Sequence, residues 1–415
     1  MTAAPTLSPE AATSPLTPKA KRQLLVAHLT ILFTVSMLTL LGLIMTVSAN
    51  TVWALSGNES PYYKGLKQGG FALAGVIVAV ILAHLHQRLW QVVAWVALAA
   101  TFALQVLVIL NGIARGGNQN WLKVGPVEVQ PSEFIKFALA LWLGSVLAKK
   151  KDTLTSWVEL AVPALFGIAV ALGLVMAGRD AGTALVVGML AVGALVLAGV
   201  PWSKLILLAI PALVGAAAVV LQDPRRVSRF LQVLRPESCV DPLADCWQIN
   251  QAKYALAQGG LFGSGLGASR QKWSYLSQAD SDFIYAIIGE EVGLCGALLV
   301  LALFGALGFA LFQIVRLHPD RFTQVTVGAI GCWLMCQAMV NIGMVIQVLP
   351  VIGVPLPFVS AGGSALISSL AAIGVVEGLL RRDPEVALAL QPRSKRARQM
   401  AGVFAPVPAL GGDPA

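Results

Sequence analysis

The chain has 415 residues, of which 57% are hydrophobic and only 12% are charged. A soluble domain carries about 25% charged residues, so this composition excludes an ordinary soluble protein. The net charge of +9 is spread over the ends of apolar blocks and forms no basic domain, which argues against nucleic acid as a partner.

The apolar residues occur in blocks of about 20, the length that crosses the hydrocarbon layer of a membrane. A β-barrel would show alternating segments of roughly 10 residues, and blocks such as 205–221 do not alternate. The sequence therefore predicts an all-α polytopic membrane protein. Ten transmembrane helices are expected at 24–49, 67–84, 89–111, 133–148, 157–177, 183–200, 203–221, 283–315, 322–349 and 360–380.

Three segments lie outside this pattern. Residues 1–23 and 381–415 are polar and are predicted to be disordered tails, the second of them basic. Residues 222–282 form a long loop between the seventh and eighth helices. Its cysteines Cys239 and Cys246 could pair in an oxidising space or stay free, because spacing alone does not give geometry.

Short loops on one side of the predicted membrane carry many basic residues. By the positive-inside rule this side faces the cytoplasm, so both termini are expected there and loop 222–282 outside. The basic residues concerned are Lys19, Lys21, Arg22, Arg88, Lys149, Lys150, Lys151, Lys204, Arg316, Arg321, Arg381, Arg382 and the cluster Arg393, Lys395, Arg396 and Arg398.

The long outer loop also holds cations, and these allow two interpretations. They balance the acids of the same loop, or they form a surface for an anionic ligand at the outer membrane face. These residues are Arg225, Arg226, Arg229, Arg235, Lys253, Arg270 and Lys272.

The stretch from Cys246 to Gly296 combines several features of a functional site. A glycine-rich turn at 259–267 is followed by basic residues and then by Asp282, where a polar loop meets an apolar run. A carboxylate at a membrane edge is partly desolvated and costly to keep charged, which makes it a functional candidate. We expect desolvation to raise the pKa of Asp282 and nearby cations to lower it.

Two further motifs place charges next to apolar helices. The segment 130–133 has Pro, Ser and an acid where a helix would start, and Glu133 and Lys136 can pair on one helix face. The segment 178–183 is a polar break that contains Asp180. Each motif fits a plain helix start or a solvated turn. Each also fits a function, with Lys136 near an anionic group and Asp180 anchoring a cation or a basic side chain.

A fourth motif, residues 341–366, breaks the helical path with prolines and glycines. Irregular backbone at membrane depth survives only where protein buries it or where it lines a cavity. The motif is either a helix hairpin or a site where Ser360, Ser364 and free backbone N–H groups bind an anion. No His and Cys residues show the spacing of metal ligands, so no protein metal site is predicted.

Together these motifs resemble the SEDS family of FtsW, RodA and SpoVE proteins over roughly residues 25–380. The resemblance rests on QPSEFIK at 130–136, DAGT at 180–183, the QGGLFGSGLG…DFIYAIIGEEVG block at 258–293 and PVIGVPLPFVSAGGS at 350–364. The chain departs from the family pattern at Asn120, where Arg is usual, at Gly178-Arg179 in place of Gln-Pro, at Ser281, and at Ala361 in place of Tyr. Arg179 could supply a displaced positive charge.

The resemblance implies that residues 24–380 form a transmembrane peptidoglycan glycosyltransferase domain in the bacterial cytoplasmic membrane. It implies polymerisation of lipid II, the undecaprenyl-pyrophosphate-linked disaccharide-peptide, by inverting transfer during septal cell-wall synthesis. Asp282 is the expected general base, because a carboxylate with a raised pKa can take the proton of an acceptor hydroxyl. The expected substrate-binding residues are Glu133, Lys136, Arg179, Asp180, Lys253, Arg270, Lys272, Ser360 and Ser364.

The resemblance also implies partners, namely a class B penicillin-binding protein that acts as transpeptidase and other divisome proteins. A divalent cation could share the contact with pyrophosphate. The tails and the segment 266–276 favour a division protein, whereas 341–357 is more similar to the elongation-type polymerase RodA. A lipid II flippase is an alternative, since charged residues at broken helices also suit transport. A structural division scaffold is a third alternative.

Overall fold

The computed structural model describes residues 17–56, 60, 62–86, 89–115, 118–125, 127–150, 153–234, 247–273, 276–381 and 386–387. Among these residues, nine helices are long and apolar enough to cross a membrane, and the apolar helix Ala181–Leu197 is shorter. Taken together they correspond in order to the ten predicted transmembrane helices. Cys239, Cys246 and most of both predicted tails lie outside the described residues.

The helices are α1 Pro18–Ser56, α2 Tyr63–Ala83, α3 Trp90–Asn111, α4 Pro131–Lys149, α5 Trp157–Leu160, α6 Phe166–Ala177, α7 Ala181–Leu197, α8 Trp202–Leu221, α9 Pro224–Leu234, α10 Trp247–Gly259, α11 Ile284–Glu291, α12 Gly293–Leu317, α13 Arg321–Val345 and α14 Gly363–Leu380. A π-helical turn, Ala161–Leu165, joins α5 to α6. Three short strands, β1 Ile113–Arg115, β2 Asn118–Val124 and β3 Val127–Val129, form an antiparallel sheet in the order β1-β2-β3.

The observed elements correct three predicted boundaries. Helix α1 begins at Pro18, so the end of the predicted tail 1–23 is helical, because straight-chain basic residues extend a helix easily. The segment 222–282 contains α9 and α10 and is not a plain loop. The predicted helix 283–315 is broken at Gly293, whose φ is +77° and which the backbone of residues 261–263 approaches too closely for any side chain.

The bundle has a buried centre and an open periphery. Helices α4 and α14 are the most enclosed, since 83% of the 18-residue stretch that could cross the membrane is buried in each. In α8 only 6% of that stretch is buried, so this helix lies at the outside of the bundle. Helices α2 and α14 pack together closely. Gly374 permits this approach, because a Cβ atom at this position would overlap the backbone of Ala79.

One end of the bundle collects the polar motifs. It contains the sheet, helices α9 and α10, the segment 260–283, and the segment 346–362 between α13 and α14. We call this end the Asp282 face. Ion pairs and hydrogen bonds join these segments there, so residues far apart in the sequence form one surface.

Candidate functional site

Asp282 lies in the turn that precedes α11, outside the long apolar helices. Three hydrogen bonds fix the carbonyls of residues 280–282. Asn341 Nδ2 donates to Asp282 O at 2.8 Å, Ser360 Oγ donates to Ser281 O at 2.6 Å, and Ala361 N donates to Asp280 O at 2.8 Å. The turn is therefore held rigidly against α13 and the segment 346–362.

The carboxyl group of Asp282 is partly buried. Burial raises the pKa of Asp282 to about 7, and the negative charges of Asp280 and Asp180 add to the rise. Desolvation is the largest cause of this rise, as expected, whereas no cation lowers the pKa of Asp282 among the causes of the shift. A carboxyl group with this pKa can accept and release a proton near neutral pH, as a general base must.

Gly353 faces the same carboxyl group from the segment 346–362. Its φ is +75°, and a Cβ atom at this position would lie 3.5 Å from Asp282 Oδ2. Glycine adopts this left-handed backbone without strain, and the distance is an ordinary van der Waals contact. The segment therefore forms one wall beside Asp282.

Asp180 forms the N-cap of α7 and is 4% exposed. Thr183 donates to it twice, from N to Oδ1 at 3.0 Å and from Oγ1 to Oδ2 at 2.9 Å. Asn120 Nδ2 and Gln130 Nε2 each donate to Oδ2 at 3.0 Å. All four donors are neutral, so they hold the carboxylate without cancelling its charge. Gln130 and Asn120 were not predicted as site residues, although Gln130 begins the motif 130–133 and Asn120 is a departure from the family pattern.

Glu133 and Lys136 form the buried ion pair that their spacing predicts, with 2.8 Å between Nζ and the carboxylate. Each residue is 1% exposed. Lys136 Nζ also donates to Gln337 Oε1 at 2.8 Å and lies 5.1 Å from the centre of the Trp333 ring. Gln337 Nε2 donates in turn to Pro355 O at 2.8 Å. Through Gln337 the ion pair of Glu133 and Lys136 is thus connected to the segment 346–362 beside Asp282.

The glycine-rich turn wraps around two buried acids, Glu290 and Glu291, each 1% exposed. Lys272 Nζ lies 3.2 Å from Glu291 Oε1, and Ser48 Oγ donates to the same carboxylate at 2.6 and 2.7 Å. Ser269 Oγ donates to Glu290 Oε2 at 2.6 Å. Lys272 is therefore committed to a buried ion pair. Sequence reasoning missed the two acids, although two carboxylates inside an apolar run are themselves a signal.

The remaining predicted residues divide into exposed cations and buried hydroxyls. Arg179, Lys253 and Arg270 are exposed on the Asp282 face. Ser360 Oγ accepts from Leu356 N at 2.7 Å in addition to its bond to Ser281 O. Ser364 Oγ accepts from Gln130 N at 2.9 Å. Both serines thus hold protein segments together around the site.

A cation that pairs with Asp280, two positions before Asp282, was not predicted. Lys64, in the first turn of α2, lies with Nζ 3.4 Å from Asp280 Oδ2 and donates to Asn50 Oδ1 at 2.7 Å. Nothing in the local sequence indicates this contact, because 216 positions separate the two partners. Lys64 partly offsets the charge that Asp280 places beside Asp282.

Within the described ranges, no group of three or more His, Cys, Asp or Glu side chains is arranged so that it could hold a metal ion. The divalent cation stays a prediction.

The profile of the FtsW, RodA and SpoVE family, described as cell cycle protein, matches residues 28–384. The probable peptidoglycan glycosyltransferase FtsW of Mycobacterium tuberculosis is 35% identical over 358 residues, which cover 86% of this chain and 68% of the relative. Stage V sporulation protein E of Bacillus subtilis is 36% identical over 355 residues, which cover 85% and 96% of the two chains.

Solved structures are similar as well. A chain from a study of polymerization and crosslinking by a peptidoglycan synthase complex has a TM-score of 0.67 and 26% identity, covering 84% of this chain and 96% of its own. The rod shape determining protein RodA of Thermus thermophilus has a TM-score of 0.62 and 26% identity, covering 85% and 96%.

Proposed function

The chain belongs to the FtsW, RodA and SpoVE family of cell cycle proteins, and we propose that it is a peptidoglycan glycosyltransferase that polymerises lipid II. The observation that carries the proposal is Asp282, a carboxyl group with a pKa of about 7 held in a rigid turn beside the segment 346–362. Relatives named as probable peptidoglycan glycosyltransferases support it.

The reaction joins the sugar of one lipid II to the disaccharide of another. Asp282 takes the proton of the acceptor hydroxyl as the oxygen forms a bond to the anomeric carbon of the donor. The bond from that carbon to the phosphate oxygen breaks, and undecaprenyl pyrophosphate leaves with the electron pair. A single displacement inverts the anomeric configuration and needs no covalent enzyme intermediate, so one carboxylate suffices.

The other residues serve this step in two groups. Arg179, Lys253 and Arg270 are exposed on the Asp282 face and supply positive charge to the departing pyrophosphate. Glu133, Lys136, Asp180, Lys272, Ser360 and Ser364 are buried and position the segments that surround Asp282. The undecaprenyl chain lies against apolar helix surface such as that of α8, which is almost entirely unburied.

The proposal includes an orientation and partners. The Asp282 face lies outside the cytoplasm, with both termini inside, because the opposite face carries the basic loops. A class B penicillin-binding protein acts with the chain as transpeptidase, and other divisome proteins bind the pair. A similar chain in a peptidoglycan synthase complex supports the first of these partners.

Septal synthesis is favoured over elongation by the FtsW and SpoVE relatives, which are 35% and 36% identical. The elongation role and the flippase are the alternatives. A flippase needs its binding groups near the middle of the membrane. Here Asp180, Asp280 and Asp282 interact at one end of the bundle, which favours chemistry at a membrane surface.

The test is lipid II polymerisation by the purified protein, with and without a class B partner. Asp282→Asn is expected to abolish glycan strands without changing the melting temperature. The control is Glu159→Gln, which removes a half-exposed carboxylate that pairs with Lys150 on the opposite face. Strand synthesis by Asp282→Asn would remove Asp282 from the mechanism. Absence of strands with wild type under every partner and cation condition, together with lipid II transfer across vesicles, would favour the flippase.

A further inference from the structure

Helix α9 contacts both the residue before the α7 cap and the segment 346–362. Arg226 Nη2 donates to Arg179 O at 3.3 Å, and Arg179 is the residue before the α7 cap Asp180. Arg229 Nη1 donates to Val351 O at 3.3 Å, in the segment that faces Asp282. Residues three apart lie on the same face of a helix. Both arginines of α9 therefore point towards the segments that carry Asp180 and border Asp282.

Arg229 contacts the segment that borders the reacting group. Val351, which accepts its hydrogen bond, is two positions from Gly353, the residue in contact range of Asp282 Oδ2. The arginine and the carboxyl group thus both border the short stretch of backbone 351–353. Neither residue is near the other in the sequence.

The charges of the two arginines are compensated differently. Arg226 Nε lies 3.7 Å from Asp223 Oδ2, so an acid of its own helix start offsets its charge. Arg229 is exposed, and among the described residues it contacts a carbonyl oxygen and forms no ion pair. A guanidinium group has five N–H donors, so one bond to a carbonyl leaves several for a ligand. Its fork geometry matches the oxygens of a phosphate.

Helix α9 also lies at a suitable depth for a lipid phosphate. It follows directly after α8, the apolar helix with the least burial, and Phe230 and Leu231 on α9 are 49% and 47% exposed. A short helix with cations on one side and exposed apolar residues on another is typical of a helix at the membrane boundary. The phosphates of membrane lipids lie at that boundary.

We propose that Arg229 binds the pyrophosphate of the lipid-linked donor and holds it beside Asp282. This inference rests on the proposed function, and it adds a residue of α9 to the exposed cations of that site. When the anomeric bond to oxygen breaks, negative charge grows on the bridging phosphate oxygen, and Arg229 offsets it. The acceptor proton goes to Asp282, which borders the same segment 346–362.

The test uses the full-length protein in lipid nanodiscs and two readouts. Arg229→Gln removes the charge but keeps a donor for Val351 O, and Arg229→Lys keeps the charge without the fork. Lys67→Gln is the control, because Lys67 is an exposed cation at the start of α2 on the same face. The readouts are kcat/KM for lipid II with a class B partner, and binding of undecaprenyl pyrophosphate compared with undecaprenol.

Arg229→Gln is expected to lower kcat/KM and to weaken undecaprenyl pyrophosphate binding by about 10- to 100-fold, the effect of one charged hydrogen-bonding group. Undecaprenol binding should not change, Arg229→Lys should recover part of the loss, and Lys67→Gln should match wild type. Equal pyrophosphate binding by wild type and Arg229→Gln would overturn the inference. If wild type binds pyrophosphate through Arg229 yet makes no strands, the proposed function fails and this site remains.

Discussion

Asn120 Nδ2 donates a 3.0 Å hydrogen bond to Asp180 Oδ2, so a neutral amide holds a buried carboxylate next to the candidate site. The family pattern has Arg at the position of Asn120. An Arg would cancel the charge of Asp180, and the amide leaves that charge in place. Asp180 is one of the two acids that raise the pKa of Asp282 further. The departure at Asn120 therefore bears on the acidity of the proposed base.

Replacing Asn120 by Arg tests this relation. A guanidinium beside Asp180 should offset its charge and lower the pKa of Asp282. The pH dependence of lipid II polymerisation is then expected to move to lower pH by up to about one unit. Initial rates across the pH range give the shift, with Asn118→Arg on the same strand as the control. An unchanged profile in a variant with the wild-type melting temperature would contradict the prediction.

The wild-type enzyme should itself depend on pH in a defined direction. Below the Asp282 pKa of about 7 the carboxyl group is protonated and cannot accept the proton of the acceptor. The polymerisation rate is therefore expected to rise with pH and to level off above that value. The measurement is kcat/KM for lipid II in buffers of constant ionic strength. A rate that falls as pH rises through 7 would exclude Asp282 as the base.

Lys64 and Asp280 should shift this profile in opposite directions. Asp280→Asn removes a negative charge and is expected to lower the pKa of Asp282, moving the profile to lower pH. Lys64→Gln leaves Asp280 without its 3.4 Å partner and should move the profile to higher pH. Both shifts should shrink in high salt, because Lys64 is about half exposed.

The control for this pair is Lys67→Gln, which removes an exposed charge from the same helix start. It should leave the profile in place. Shifts of the same sign in Lys64→Gln and Asp280→Asn would show that the ion pair does not act through charge.

The buried pair of Glu133 and Lys136 should be important for stability. Removing one partner leaves an uncompensated charge inside the bundle, so Glu133→Gln or Lys136→Met alone should destabilise the protein by about 3–5 kcal/mol. The double variant should be less destabilised than the sum of the two, by roughly 0.5–3 kcal/mol. A double-mutant cycle on unfolding in detergent measures this difference. Simple additivity would mean that the 2.8 Å contact contributes little.

The sequence predicted the helices well where apolar length decides them. Helix α3 was expected at 89–111 and is observed at Trp90–Asn111, and the ion pair of Glu133 and Lys136 follows from helical spacing. The segment 222–282 was harder to predict. Helix α10 there is partly polar, and its buried face is set by contacts with α11, which local pattern does not reveal.

The site was predicted in part. The sequence identified Asp282 and Asp180, because a carboxylate at the end of an apolar block is costly and conspicuous. It did not reveal Lys64, Gln130 or Glu291, whose partners are far away along the chain. From the sequence, Lys272 was expected to bind the pyrophosphate, whereas in the structure its ammonium group forms an ion pair with Glu291.

The sequence by itself determined that the chain is a membrane-spanning helical bundle with four polar motifs between its apolar blocks, because the hydrocarbon layer fixes the length of such blocks. Only the tertiary structure decided which charges meet. Arg229 and Val351 are 122 positions apart, and Asn120 and Asp180 are 60 apart. No local periodicity encodes such pairs, since helix packing alone sets the distance between their side chains.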